Sequence, residues 1–388
     1  MDVDLDSAEL RIYERMADLP SAAWDGLLDA AATPFVRWAW LEALEHAGCV
    51  APARGWQPCH LTLWRGGRLC AAAPAYVKNG SDGDFSRDWG WAEAIERAGY
   101  RYYPKLVVGV PFTPVTGRRI LAAPGEDRKA AVRALLAGAR ALAAEAGLSS
   151  VHVLFPHGAE AEELEAAGMA RRIDFQWHWL NHGWHDPAEW LKSLNAKRRH
   201  QARREKAAPA ARGITIRTVR GDEIRAQAAE WARTVHRFYR ANVDKLYWGR
   251  RYLNQAFFER VFAHMPEHLE VVAAERAGRL IAGAFNVSSA THLYGRYWGC
   301  HEEHPFLHFN VCLYHSIDDC VERGIRVFEG GAGGEHKESR GFELAPTHST
   351  HMFLDPRLDQ AMRGVLGAEL SARGEAHRSW RETRRSAR

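Results

Sequence analysis

The sequence has little sulfur and no long apolar run. Its six cysteines (Cys49, Cys59, Cys70, Cys300, Cys312, Cys320) form no Cys-x-x-Cys pair in 388 residues. That argues against a zinc ribbon or a disulfide scaffold, and for reduced thiols in a cytoplasmic setting. No stretch approaches the roughly 20 apolar residues that span a bilayer. Residues 69–77 are among the longest, and the alanine-rich run 129–147 is broken by Arg133, Arg140 and Glu145. The acidic start, MDVDLDSAEL, has neither the basic opening nor the apolar core of a secretory signal, so none is expected.

What is present reads as globular. Hydrophobic residues make up 46% and charged residues 26%, which excludes wholesale disorder. The length exceeds one compact core and suits two. Net charge is only +4, but its distribution is uneven: residues 192–220 carry ten Lys and Arg against Glu205 alone, leaving −5 for the rest. A second cluster closes the chain, six arginines in 373–388 against Glu375 and Glu382. Such concentrations serve a polyanionic partner or form a solvated face, and charge alone leaves both readings open. For the closing cluster a frayed or weakly ordered helix end is expected.

The chain repeats itself. Residues 60–76 (HLTLWRGGRLCAAAPAY) and 271–286 (VVAAERAGRLIAGAFN) each read as strand, tight turn, strand, with Gly-Arg-Leu at the turn exit. Downstream, each half predicts a helix, a glycine stop and a strand: 130–146, Gly147 and 150–155, then 313–323, Gly324 and 325–329. The glycine stops lie 34 residues closer together than the hairpin turns, so the first half holds a surplus, placed in 79–111. Asp186-Pro187-Ala188-Glu189 reads as a helix start, with Asp as N-cap and Pro at the first helical position. That helix is expected to run to about Ala208, and the domain boundary to fall just before it, at 182–185.

Four segments resemble the FemAB-like family, tandem GNAT-fold proteins named for peptidoglycan-bridge aminoacyltransferases, and above all its branch of peptidoglycan biosynthesis or recognition. They are 102–118 (YYPKLVVGVPFTPVTGR), 195–206 (NAKRRHQARREK), 293–300 with 305–309 (LYGRYWGC, PFLHF), and 329–343 (EGGAGGEHKESRGFE). The resemblance implies an α/β (α+β) chain of two GNAT-like domains, each a mixed, mostly antiparallel sheet flanked by helices, with a cleft between. The expected division is 1–183 (acceptor side), 184–355 (donor and catalytic side) and a helical tail, 356–388. The implied activity is amide-bond formation: transfer of an activated acyl group to a small-molecule or lipid amine, by direct attack and without an acyl-enzyme. An aminoacyl-tRNA is the first expected donor. An acyl-CoA, with a long chain and a lipid amine, is the alternative, and a non-catalytic reader of cell wall or nucleic acid is the other class. The usual GNAT pyrophosphate loop, Gln/Arg-x-x-Gly-x-Gly/Ala, has no clear counterpart. No tightly bound cofactor and no stable membrane insertion are expected; the location is cytoplasmic, with peripheral attachment at the inner membrane face compatible with it.

Acyl transfer to an amine needs a neutral nucleophile, a donor to the carbonyl oxygen and an acid for the leaving group. The glycine-rich segment 329–343 offers groups suited to these roles. Lys337 is the candidate for stabilising negative charge, and Glu335 or His336 for taking the amine proton, with Arg340 beside them as a substrate contact. Lys197, Arg199 and Arg203 are the candidate phosphate contacts on the basic helix, where Lys192, Arg199, Arg203 and Lys206 share one predicted face. Strand alternation places Arg296 and Trp298 on one side of their strand and Tyr297 on the other. Tyr103, Phe112 and Thr113 are candidates for an acceptor groove, though a packed aromatic core accounts for them equally well. His301, His304 and His308 invite a metal reading. His301-Glu302-Glu303-His304 falls one residue short of a zincin His-Glu-x-x-His, and Pro305 bars a continuous helix, so loop or substrate-contact histidines are expected and no metal.

Overall fold

A computed structural model describes residues 8–245, 249–331 and 333–386. The acidic start 1–7 and, in the basic tail, Arg388 and the side chains of Arg384 and Arg385 lie outside the described residues. The chain forms two compact units. The first joins the residues up to Asp174 with those from Pro346 onward, and the second is Phe175–Ala345.

Both expected hairpins form. His60–Arg65 pairs antiparallel with Arg68–Ala73, and Leu269–Arg276 with Arg279–Ser288. Each turns through two residues, Gly66–Gly67 and Ala277–Gly278, all with φ between 49° and 76°. Left-handed backbone at both central residues matches the twist of the flanking strands, and this is what glycine at the second position permits.

In the first unit, Glu9–Tyr13 adds antiparallel to the first hairpin. A second group of strands runs Trp56–Pro58, Ala75–Lys78, Lys105–Val108 and Ser150–Leu154, the last two parallel. The helix Arg128–Glu145 starts at Asp127, whose carboxylate accepts from the Lys129 and Ala130 N–H groups. Its Ala131, Val132, Leu135 and Ala139 are buried with Leu61, Leu63, Val151 and Val153 in one core. The surplus 79–111 is ordered around a buried Lys105, which pairs with Asp84 and Asp88. The final helix, Pro356–Ser386, is 31 residues long and buries Leu358, Met362 and Leu366 against Trp91 and Tyr102 of the first unit.

In the second unit the strand order is Ile214–Arg220, Leu269–Arg276, Arg279–Ser288, His292–Cys300, Val327–Glu329 and then His178 to Leu180. All neighbours are antiparallel except His292–Cys300 with Val327–Glu329, which run parallel. The helix Ala228–Val243 lies so close to the sheet that a Cβ on Gly299 would meet the Phe238 carbonyl oxygen at 2.0 Å. These mixed, mostly antiparallel sheets with flanking helices are the GNAT-like fold expected from the sequence. No helix among the described residues is long and apolar enough to cross a membrane.

Two expectations about helices are corrected. The helix starting at Asp186 stops at Ser193, because Leu194 is extended, and a new helix, Ala196–Ala207, begins at Asn195, whose side chain accepts from the Arg198 N–H. Lys192 therefore shares no helix face with Arg199, Arg203 and Lys206. The helix expected at 313–323 begins earlier, at Leu307, and passes through a π-turn, Asn310–Tyr314, before the α-helix His315–Glu322.

Candidate functional site

The parallel pair in the second unit is short: His292, Leu293 and Tyr294 face Val327, Phe328 and Glu329, and pairing ends there. Past that point the chain continues as Gly295-Arg296 on one strand and as the glycine loop from Gly330 on the other. Together they border a cavity of about 320 Å³. Crevices outside the carboxyl ends of neighbouring parallel strands are the usual ligand sites of α/β sheets. Asn286, Trp298 and Tyr297 line it from the sheet, His308 and Cys312 from the helix that follows, and His336 and Lys337 from the loop.

Lys337 is the central group. It is 6% exposed, and its Nζ donates to the carbonyl oxygens of Gly331 at 2.8 Å and Gly333 at 2.6 Å. Both glycines have positive φ, 81° and 76°, backbone that turns these carbonyls toward the amine at no side-chain cost. Gly330 is needed for space, since a Cβ there would lie 2.8 Å from the Phe342 ring and 3.3 Å from Lys337 Cε. Burial pushes the ammonium down to about 8. It is therefore a cation at neutral pH, held in a poorly solvated place beside the cavity.

The other predicted loop residues do different things. Arg340 is 3% exposed; its Nε and Nη2 both bond Glu205 Oε2, at 3.1 and 2.7 Å, and its guanidinium lies over the Phe309 ring. Tyr314 donates to the same carboxylate oxygen at 2.8 Å. Glu205, the one acid of the basic run, is thus the buried anchor that joins the helix Ala196–Ala207 to the glycine loop. Arg340 spends its charge on that anchor, not on the cavity. Glu335 is exposed and is not among the residues that line the cavity. His336 does line it, with its ring 5.3 Å from Phe309 and 6.1 Å from His308.

On the basic helix, Arg198 pairs with Glu338 and Lys206 with Asp318. Among the described residues no ion pair holds Lys197, Arg199 or Arg203; Lys197 and Arg203 are exposed and Arg199 is half-buried. On the strand His292–Cys300 the expected alternation fails. Arg296 falls in a bulge, between the pairs Phe285–Tyr297 and Asn286–Gly295. Arg296, Tyr297 and Trp298 consequently all border the cavity.

The first-unit candidates are packed side chains. Phe112, 5% exposed and at φ +57°, sits edge-on against Trp56. Thr113, 2% exposed, donates to the Pro111 carbonyl, and the Tyr103 hydroxyl bonds Ser81. Of the motif histidines, His301 lies against Phe238 and His304 is 3.4 Å from Glu302. His308, which the sequence groups with them, stands in the cavity wall, 4.4 Å centre to centre from the Trp298 ring. Its sequence signal is the aromatic-flanked Pro305 to Phe309 segment, which alone does not tell a wall residue from a loop residue. Two thiols are near: Cys312 borders this cavity and Cys300 a neighbouring one, and burial raises both above the usual thiol range.

The chain aligns with the crystal structure of FemX at 13% identity over 92% of this chain and 100% of that one, with a TM-score of 0.53, a likeness that establishes the fold. Weaker likenesses are to a tandem GNAT protein from the clavulanic acid biosynthesis pathway (15% identity, 90% and 99% of the two chains, TM-score 0.45) and to L-PGS from Bacillus licheniformis (8%, 88% and 99%, TM-score 0.47). No curated protein matches the sequence. A family model described as peptidoglycan biosynthesis/recognition matches residues 15–385, and the chain belongs to that family, the FemAB-like proteins.

Proposed function

We propose that this protein forms an amide bond by transferring an aminoacyl group from a charged tRNA to an amine, with the reacting carbonyl bound in the glycine-loop cavity. The observation that carries this reading is the buried cationic Lys337 at the wall of a cavity bordered by Arg296 and a run of glycines. A fixed cation that is itself largely withdrawn from solvent stabilises an oxyanion without reorganising when the charge develops. The amine attacks directly: Cys312 and Cys300, held as neutral thiols, are poor carriers of an acyl group. The basic helix supports a polyanionic donor, because its free charges Lys197, Arg199 and Arg203 stand on the element that Glu205 ties to the Lys337 loop. A small-molecule or lipid amine is the acceptor class.

The test is binding of a mixed charged-tRNA pool, and of the same pool deacylated, at two salt concentrations, with acyl-CoAs of several chain lengths titrated in parallel. Preference for charged tRNA with strong salt dependence supports the reading; saturable acyl-CoA binding without tRNA discrimination replaces the donor. Arg199→Glu together with Arg203→Glu is expected to weaken tRNA binding at least tenfold. It should also flatten the log–log salt slope by roughly 0.7–0.9 for each phosphate that is no longer neutralised. An unchanged slope removes this helix from the donor site.

A further inference from the structure

A second cavity of about 260 Å³ adjoins the first in the same unit, lined by Asn242, Lys245, Cys300, Glu302 and Glu303 among others. Two residues border both cavities: Trp298 and His308. The aromatic pair they form, 4.4 Å between ring centres, is the partition between the two spaces. His336 differs in this respect, because it borders the glycine-loop cavity alone.

We propose that the amine acceptor enters through this second cavity and that His308 takes the proton from its nitrogen as the amine attacks the acyl carbon in the first. This inference rests on the acyl-transfer reading above. The geometry carries it, since an imidazole at the partition faces both a nucleophile on one side and a carbonyl held near Lys337 on the other. The smaller cavity lies just below the roughly 300–1,000 Å³ of pockets that enclose drug-sized ligands, so it suits an amine of amino-acid size or the head of a larger molecule. Cys312 and Leu313, inside the π-turn that directly follows Phe309, both line the first cavity, and His308, one turn before Cys312, borders both cavities. Such turns inside helices are frequent at functional sites.

The protonation state fits. Burial, with His336, Lys337 and Arg340 nearby, pushes the His308 imidazole down to about 4, so it is neutral and able to accept a proton at neutral pH. In the step, the C–N bond forms and the N–H proton passes to His308. The bond from the acyl carbon to the donor oxygen breaks, that oxygen takes a proton from water, and the imidazolium gives its own proton up to solvent. The products are the amide and the free hydroxyl, and His308 ends neutral. Negative charge on the tetrahedral intermediate favours the imidazolium only while it is needed.

The experiment measures transfer from a radiolabelled charged-tRNA pool, and in parallel from acyl-CoAs, to two acceptors: glycinamide, and hydroxylamine, which is neutral at pH 7 and attacks without help. His308→Gln is expected to slow transfer to glycinamide by about 10²-fold, within the usual contribution of a general base. Transfer to hydroxylamine should change no more than about threefold if only the base has been lost. Equal loss with both acceptors marks His308 as structural and overturns the proposal, as does no loss with either. Absence of transfer by the unaltered protein to hydroxylamine from every donor overturns the acyl-transfer reading itself, and this inference with it.

Discussion

Lys337→Ala is expected to lower acyl transfer by about 10²–10³-fold, the loss that follows removal of one preorganised donor to a developing oxyanion. Both acceptors should suffer alike, because the carbonyl is common to them. That separates this residue from His308, whose loss spares hydroxylamine. The pH dependence is a second readout. The ammonium is lowered from 10.5 to about 8, so it is charged below that pH and loses its charge above it. With hydroxylamine as acceptor, neutral throughout this range, transfer should decline as the pH passes about 8. A rate that stays level through pH 9 removes Lys337 from the chemistry.

The same shift makes a statement about stability, with the opposite sign. A base whose folded pKa lies below its unfolded value costs stability, fully below the folded pKa, and the cost is relieved as pH rises from about 8 toward 10.5. For a group this buried the shift corresponds to about 3 kcal/mol. Lys337→Met is accordingly expected to be at least as stable as the parent at neutral pH while inactive, measured by urea unfolding. A variant clearly less stable at pH 7 would indicate that the lysine is kept for the loop alone.

Breaking the Arg340–Glu205 pair should have the largest effect on stability. Both side chains are nearly inaccessible, 4% and 2% exposed, and removing one leaves the other charge buried without its partner. Arg340→Met or Glu205→Leu is expected to cost about 3–5 kcal/mol in urea unfolding. Replacing both together should restore much of that loss, because no lone charge then remains. The single variants should also lose transfer beyond the loss of folded protein, since Arg340 Nη1 donates to the His336 carbonyl and so fixes the loop that presents Lys337. Full transfer per folded molecule would show that the anchor is dispensable to the site.

The local elements were legible because their signals are local. A Gly-Arg-Leu turn exit, Asp186 ahead of a helix, and Gly147 and Gly324 behind helices depend on backbone preferences of a few residues. The glycine-rich stretch carrying Lys337 was legible for the same reason, and the family resemblance on 329–343 pointed to it as well. Where a competing local signal existed it won: Asn195, a good N-cap, starts a new helix inside the stretch expected to run unbroken from Asp186 to about Ala208.

Roles that depend on a distant partner were not legible. Arg340 and Glu205 are 135 positions apart, and nothing in either neighbourhood says that one neutralises the other. The bulge at Arg296, a matter of register against Phe285 and Asn286, brought Tyr297 to the cavity against strict alternation. Phe112 and Thr113 fit a groove or a core equally well by composition, and the fold buries both, Phe112 against Trp56 and Thr113 bonded to the Pro111 carbonyl. Of the three motif histidines, His301 borders neither cavity, His304 only the second, and His308 both, a difference that the sequence does not show. Sequence by itself determined the elements, the duplicated fold and the lysine-bearing loop, since these follow from short-range preference and pattern. Tertiary structure alone decided which charges are spent on each other and which face open space, because burial and pairing are properties of residues brought together from far apart in the chain.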